Sequence, residues 1–298
     1  MKKFLSLVVS LVMILAISVP AFAAENDGSS YSFTINEYDV YVATRTASQS
    51  ELEAEGISSR QANLIKSDAI ENELLALSKL SAEELTSLGY NSSQIDILHN
   101  YNGERIENVP ELRGVFADMT ADFSKVSASS TSLAVKVTWK WTNAPVLAGA
   151  GIVDMVAIRW QGTNTAGAPI NVAFSSAGSS CSVKYYSREG VYQYSRSQSV
   201  VCDSPYDHAY VDIPMSTGDG DAMWQYYAKE GTFTVKVNRT GTDSIKEAAF
   251  VFGYGHTTIG ISPSLSLPAS FGIGFTFGTE KMAEEAIRMS NTGVITKY

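Results

Sequence analysis

The chain has 298 residues, of which 45% are hydrophobic and 18% charged, and its 31 acidic against 22 basic residues give a formal net charge of −9. A chain of this length can bury one large core or two smaller ones. The acidic excess argues against nucleic acid or an anionic lipid surface as a general electrostatic partner.

The first 23 residues have the pattern of a secretory signal peptide. Lys2 and Lys3 form its positive end, residues 4–19 are an apolar run, and residues 21–23 supply the small residues that a signal peptidase needs. The alternative, a transmembrane anchor, is disfavoured because the run is short for a ~20-residue span. We predict cleavage after Ala23, or one residue later, which removes two of the 22 basic residues and changes the formal charge from −9 to −11. We therefore expect a secreted, extracellular protein without a stable membrane anchor, either released or loosely associated with the cell wall.

Residues 24–114 carry the signals of short helices. In residues 68–80 apolar side chains recur at helical spacing, and Ser81 opens the next helix with a capping box that Glu84 completes. The spacing of residues 85–98 resembles the loop and helix of ubiquitin-associated domains, which implies a small peptide-binding fold. Ubiquitin has no place in an exported protein, so a helical connector with Leu and Ile side chains in its core is favoured.

From residue 115 onward the pattern changes to strands and polar turns. Residues 133–141 alternate apolar with polar side chains, and residues 233–237 repeat this rhythm. Many short strands without intervening helices indicate an antiparallel sandwich or barrel. We predict an α+β fold with a signal peptide (1–23), an N-terminal segment with short helices (24–114), an antiparallel β-sandwich (115–280), and a C-terminal helix and tail (281–298).

The C-terminal helix is predicted from "TEKMAEEAIRMSNTG", in which Thr279 can act as a cap and Gly293 follows the stop. Such a helix could cover a sheet edge, which an exported β protein needs to protect.

Cys181 and Cys202, the only two cysteines, flank a segment that is typical of a hairpin turning near Gly190. A lone pair in an oxidising compartment usually bridges. We therefore predict one disulfide, which would stabilise the fold by roughly 3 kcal/mol. The alternative is a catalytic thiol, which no flanking nucleophile motif supports.

His256 has the same strand parity as Phe250 and Phe252, so a regular strand turns all three toward one apolar layer. A catalytic histidine would need an orienting carboxylate and a nucleophile or water near it in space. A hydrogen-bonded structural histidine is favoured, and His256 stays a candidate functional residue.

Residues 257–278 alternate apolar with small or polar side chains. A sandwich strand that packs one face on a core produces this pattern. A membrane hairpin of a pore-forming protein produces it too. Pro263 favours the sandwich, because proline is poorly tolerated inside a paired strand.

Four further candidates, Asp207, His208, Asp219 and Asp221, lie in an aspartate-rich stretch. Its carboxylates could hold Ca²⁺ or supply the acid and base of a glycosidase. The spacing matches no EF-hand, so solvated loop carboxylates are the default, and no cofactor is assigned. G-x-S-x-G, S-x-x-K and H-E-x-x-H are all absent from the sequence.

The runs "IENELLALSKLSAEELTSLGYNSSQIDILHNYNGE", "VTWKWTNAP", "DMVAIRW" and "YGHTTIGISPSLS" are similar to a group of uncharacterised secreted proteins of Gram-positive bacteria. The resemblance covers most of the chain after the signal peptide. It implies a helical segment followed by a β domain, and it brings no assigned activity and no catalytic residue.

These observations favour an exported, non-enzymatic binding or structural module whose partner is an unknown extracellular protein or glycan. Two alternatives stay open. One is a glycan-acting hydrolase that uses carboxylates of residues 203–221. The other is a pore-forming protein that uses the 257–278 hairpin.

Overall fold

The computed structural model describes residues 28–54, 63, 66–145, 153–187, 189–217, 226–257, 264–266, 271–276 and 279–298. The predicted signal peptide, with its cleavage site at Ala23, lies outside these residues. Among the described residues, no helix combines the length and apolarity that crossing a membrane requires.

Within the described residues, five short α-helices lie in the N-terminal part: α1 (Glu37–Thr46), α2 (Gln49–Ala54), α3 (Ala69–Leu77), α4 (Ala82–Ser87) and α5 (Ser92–Asn100). Two 3₁₀ turns follow at Ile106–Asn108 and Pro110–Gly114. Capping boxes start two of the helices: Ser81 with Glu84 at α4, and Asn91 with Gln94 at α5. Each box satisfies amide groups that have no partner inside the helix.

The strands are β1 (Ser30–Asn36), β2 (Asp118–Ala128), β3 (Ser132–Trp141), β4 (Val153–Asn164), β5 (Pro169–Ile170), β6 (Val172–Phe174), β7 (Ser180–Ser187), β8 (Tyr192–Gln198), β9 (Val201–Ser204), β10 (His208–Pro214), β11 (Ser216–Thr217), β12 (Tyr226–Arg239), β13 (Ile245–Thr257), β14 (Ser264–Ser266), β15 (Gly274–Thr276), β16 (Thr279–Ser290) and β17 (Ile295–Lys297).

Fifteen of these strands form two antiparallel sheets packed face to face, and β14 and β15 form a separate two-stranded sheet. The first sheet has the order β1-β2-β3-β12-β7-β8, with β6 and β11 also paired to β12. The second has the order β17-β16-β13-β4-β10-β9, with β5 paired to β4. The predicted antiparallel β-sandwich is therefore confirmed.

The core lies between the two sheets and is rich in aromatic side chains. The Trp139 ring stacks on Phe252 at 6.5 Å between centroids, and the Trp141 ring meets Tyr254 edge-on at 5.5 Å. Both Trp residues come from β3 of the first sheet and both partners from β13 of the second, so the pairs join the sheets. Offset and edge-to-face contacts of this kind add to the stability gained from burial alone.

The helical segment joins the same core instead of forming a separate one. Tyr41, Leu74, Leu85 and Leu98 are fully buried and belong to the cluster that contains the sandwich aromatics. The segment also supplies β1, which pairs with β2 along the edge of the first sheet. This strand was not predicted from the sequence, although the alternation in "SYSFTIN" is the signal for it.

The predicted C-terminal helix is wrong. Residues 279–290 form β16, which pairs with β13 along its length, and β17 pairs in turn with β16. The Ala, Glu and Met residues of this segment favour a helix locally, but Ile287 and Met289 reach the core only from a strand with a two-residue period. Pairing with a long neighbouring strand outweighs the local preference.

The predicted disulfide is also wrong: Cys181 and Cys202 are both free thiols. Register explains this result, because β7 and β8 pair Cys181 with Gln198, and the chain then crosses to β9 in the second sheet before it reaches Cys202. Burial raises the pKa of the Cys181 thiol to about 12. Burial, reinforced by nearby Asp203, also raises the pKa of Cys202.

These thiols give a first prediction. Since the thiolate is the reactive form, we expect native Cys181 to be inert toward Ellman's reagent, with only slow labelling at half-buried Cys202. The Cys202→Ser variant should then show no reactive thiol until it is unfolded. Unfolding the unreduced wild-type chain must release two thiols per molecule; finding none would establish a disulfide and contradict the structure.

The second prediction tests the core at Gly231, which lies opposite Trp139 in the pairing of β12 with β3. A β-carbon added at Gly231 would overlap the Trp139 indole, whereas one added at Gly241 would meet open space. We expect Gly231→Ala to lower the free energy of unfolding by about 1–3 kcal/mol, as overpacking does. Gly241→Ala is the matched control and should stay within about 0.5 kcal/mol of wild type. Equal urea midpoints for the two variants would contradict this packing.

Candidate functional site

His256 lies in the core, on the inward face that Phe250 and Phe252 share, and is fully buried. Its Nδ1 is 2.9 Å from each carboxylate oxygen of Asp154, which comes from the neighbouring strand β4. The Tyr254 hydroxyl donates to Asp154 Oδ2 at 2.7 Å, and the Trp141 indole N–H donates to the Tyr254 oxygen at 3.2 Å. The four side chains form one hydrogen-bonded cluster, the Asp154 cluster.

The sequence positions each member of this cluster. Tyr254 and His256 are two residues apart on β13 and so face the same side. Asp154 has the inward parity of β4, and the pairing of Gly255 with Met155 places it beside both partners. Asp154 is not among the candidates predicted from the sequence, because only the register between the two strands brings it to His256.

The cluster solves a problem of solvation. A buried carboxylate is costly unless hydrogen bonds replace its water, and the donors on Tyr254 and His256 do so for Asp154. Burial, with the neighbouring Asp154 charge, raises the pKa of Tyr254 well above its ordinary value. The phenol therefore keeps its proton and remains a donor.

The His256–Asp154 pair has the chemistry of a catalytic dyad, but a substrate cannot reach it. Asp154, Tyr254, His256 and Trp141 all have 0% exposure. General acid–base catalysis requires the histidine to come within hydrogen-bond reach of a substrate. In this fold the sheets themselves close over the imidazole.

Asp207 and His208 lie on the opposite face of the second sheet. Arg159 Nε donates to Asp207 Oδ1 at 2.9 Å, and His208 Nδ1 lies 3.2 Å from Asp207 Oδ2. The Arg159 guanidinium also donates to the Gly272 carbonyl and sits 5.3 Å above the Phe271 ring. Asp207 therefore holds Arg159 in place. The second sheet separates Asp207 and His208 from His256.

Asp219 and Asp221 lie outside the described residues. Within the described ranges, no three His, Cys, Asp or Glu side chains are arranged to hold a metal ion. The expectation of Ca²⁺ in this stretch stays a prediction.

The described part of the 257–278 hairpin packs on the sandwich. β14 and β15 pair with each other, and Leu265, Phe271 and Ile273 contact apolar side chains on the outer face of the second sheet. Residues 258–263, 267–270 and 277–278 lie outside the description. In the described part, these apolar side chains therefore pack against the second sheet of the same chain.

Two surface cavities of about 310 Å³ each lie away from all of these residues. One is among the helices, beside Glu71 and Arg105. The other is at the edge of the first sheet, beside Phe174 and Gln198. Neither cavity is lined by His256, Asp207 or His208.

The outer face of the first sheet offers a broader surface. Cross-strand pairing aligns a row of short polar side chains across six strands, which we call the hydroxyl row: Ser32, Asp122, Thr138, Thr232, Ser182 and Ser197. All of its members are exposed or half-buried. At ~4.8 Å between strands, the row is ~24 Å long.

Lysines stand on both sides of this row. Lys136 and Lys140 lie two residues before and after Thr138 on β3, and Lys184 lies two residues after Ser182 on β7. Lys229 and Lys236 of β12 belong to the same face, against three acidic residues, Asp118, Asp122 and Glu230. The face is therefore cationic on a chain whose net charge is −9.

Two tyrosines border the lysines, half-buried Tyr186 and exposed Tyr192. The Tyr186 and Tyr192 rings meet edge-on at 5.7 Å, Lys229 Nζ lies 5.7 Å from the Tyr186 centroid, and Tyr192 is 51% exposed. Glu230 joins the group by accepting hydrogen bonds from Lys184 and Tyr186, both at 2.9 Å. Burial acts to raise the pKa of Glu230, but these hydrogen bonds outweigh it and hold the pKa below its usual value.

No protein-family model and no curated protein sequence matches the chain. Among solved structures, it is similar to the collagen-binding domain of a Staphylococcus aureus adhesin, with 8% identity, a TM-score of 0.26, and coverage of 54% of this chain and 89% of that domain. It is similar at the same TM-score of 0.26 to AvmM, which catalyses macrocyclization in alchivemycin A biosynthesis, with 13% identity over 58% of this chain and 88% of AvmM. Scores this low carry no argument about function.

The Asp154 cluster gives the third prediction. Tyr254→Phe removes a buried hydroxyl and leaves the Asp154 carboxylate with one donor fewer, so we expect a loss of about 1–3 kcal/mol in the free energy of unfolding. Tyr210→Phe is the matched control, since its hydroxyl donates to Asp203 at the surface, and it should change stability by less than about 0.5 kcal/mol. Urea unfolding measures both. A Tyr254→Phe variant as stable as the control would contradict the structural role of the cluster.

Proposed function

We propose that this protein is a non-enzymatic binding module that acts outside the cell and engages its partner through the outer face of the first sheet. The observation that carries the proposal is that face: six strands wide, cationic, and made of side chains that are exposed or half-buried. The partner belongs to the extracellular proteins or glycans.

The placement of the ionisable residues supports a binding role over an enzymatic one. Enzyme sites are concave and bring several polar groups together where a substrate can reach them. Here the Asp154–His256 pair is sealed between the sheets, and Asp207 is occupied by Arg159. These groups stabilise the sandwich, and the open face remains for recognition.

A flat sheet face is suited to binding for a physical reason. Its backbone is rigid because every inner strand is hydrogen-bonded on both sides, so little conformational entropy is lost when a partner docks. The side chains that point outward are free to vary without disturbing the core.

The fourth prediction tests this face directly. The purified chain should bind, saturably, to immobilised bacterial cell wall or to immobilised extracellular-matrix protein. Thr138→Trp places a bulky side chain in the middle of the hydroxyl row and should weaken this binding at least about tenfold. Thr296→Trp, on exposed β17 of the second sheet, is the matched control and should bind like wild type.

Two further measurements oppose the alternatives. The purified chain should release no reducing sugar from cell-wall glycan, and it should release no dye from liposomes. Sugar release that Asp207→Asn abolishes would replace the proposal with a hydrolase. If both Thr138→Trp and Thr296→Trp bind like wild type, the outer face of the first sheet is not the binding surface.

A further inference from the structure

The chemistry of the hydroxyl row and its lysines narrows the partner class. The row crosses the strands among other short side chains, and lysines with longer side chains flank it. On β3 the row lies between Lys136 and Lys140, which are four residues and thus ~14 Å apart along the strand. A single extended polymer fits this width and the ~24 Å length.

Charged side chains flank the row. The Lys140 side chain is 60% exposed and the Lys184 side chain 47% exposed. Glu230 bridges them, with its two oxygens 3.4 Å from Lys140 Nζ and 2.9 Å from Lys184 Nζ. Even with this neutralisation, five lysines face three carboxylates on the sheet, so the complementary ligand is an anion.

Lys229 is a further reason to expect an anionic ligand on this face. Burial, together with the positive charge of Lys140, lowers the pKa of Lys229 below the ordinary lysine value. The two ammonium groups therefore repel each other. A carboxylate placed near them would relieve this repulsion while also pairing with both.

The hydroxyl row and the nearby tyrosines favour a sugar polymer over other anionic polymers. Threonine and serine hydroxyls both donate and accept hydrogen bonds, as sugar hydroxyls do. Exposed Tyr192 pairs with Tyr186, four residues and thus ~13 Å beyond Ser182 along the strand. Its ring offers a flat apolar face with a polar edge, against which the C–H face of a pyranose at the β8 end of the polymer can pack. An acidic peptide would instead be expected to add to a free strand edge, parallel to the strands.

We propose that the hydroxyl row, with Lys136, Lys140 and Tyr192, binds an anionic polysaccharide whose carboxylate-bearing sugars lie across the strands of the first sheet. This proposal rests on the proposed function, because it names the partner of the same face.

The test uses the full chain and polygalacturonate as a carboxylated polysaccharide, with neutral dextran and poly-L-glutamate as comparison polymers. Polygalacturonate should bind saturably, and dextran at least about tenfold more weakly. Poly-L-glutamate, which has carboxylates but no sugar rings, should also bind at least about tenfold more weakly. Raising the salt from 0.05 to 0.5 M should weaken polygalacturonate binding, because exposed charges are screened within ~10 Å at 0.1 M.

Matched variants separate the local site from overall charge. Lys136→Gln/Lys140→Gln should weaken polygalacturonate binding at least about tenfold. Lys79→Gln/Lys246→Gln removes the same charge from exposed positions elsewhere and should stay within about twofold of wild type. Tyr192→Ala should weaken binding at least about threefold, whereas Tyr206→Ala, whose ring is 54% exposed on another surface, should have no effect. Circular dichroism melts confirm that each variant is folded.

The outcomes distinguish this inference from the proposed function. Equal binding of polygalacturonate and poly-L-glutamate, or equal loss in the two double-lysine variants, would overturn the polysaccharide site. If polygalacturonate fails to bind but Thr138→Trp still abolishes binding to cell wall or matrix protein, the face is a binding site for a different partner. If no polymer, cell-wall preparation or matrix protein binds, both proposals fail.

Discussion

The structure depends on two sheets that press their aromatic faces together. Trp139 and Trp141 project from β3 and meet Phe252 and Tyr254 of β13 across the core. Gly231 leaves the space that the Trp139 indole occupies. Because side chains alternate between faces, this packing fixes which residues of every strand turn outward. The core and the candidate binding face are therefore set by one constraint.

The packing of the two sheets also gives His256 and Asp154, a potentially reactive pair, a structural role. His256 and Asp154 would be suited to proton transfer at an open site, but the sheets exclude solvent from both. A buried carboxylate with satisfied hydrogen bonds favours one register of β4 against β13, because a shift by one residue would turn Asp154 away from its donors. Polar chemistry in the interior thus contributes to the uniqueness of the fold, and recognition is left to the surface.

The charge of the chain is unevenly distributed, and this distribution determines which ligands each surface can attract. A net charge of −9 describes the whole sequence, yet the outer face of the first sheet is cationic. The field of a sheet face depends on its local charges, since those more than about 10 Å away are screened at moderate salt. An acidic protein can therefore bind an acidic polymer, provided that its lysines are aligned by strand pairing.

The sequence by itself determined the β-sandwich, the preceding helices and the inward direction of His256, because these follow from local periodicity and capping. Tertiary structure decided the rest. It made residues 279–290 a strand, kept Cys181 apart from Cys202, and brought Asp154 to His256. It also aligned Thr138 with Thr232 and Ser182 into one row. Each of these outcomes depends on which strands pair and in which register, and that choice is made by contacts between residues far apart in the chain.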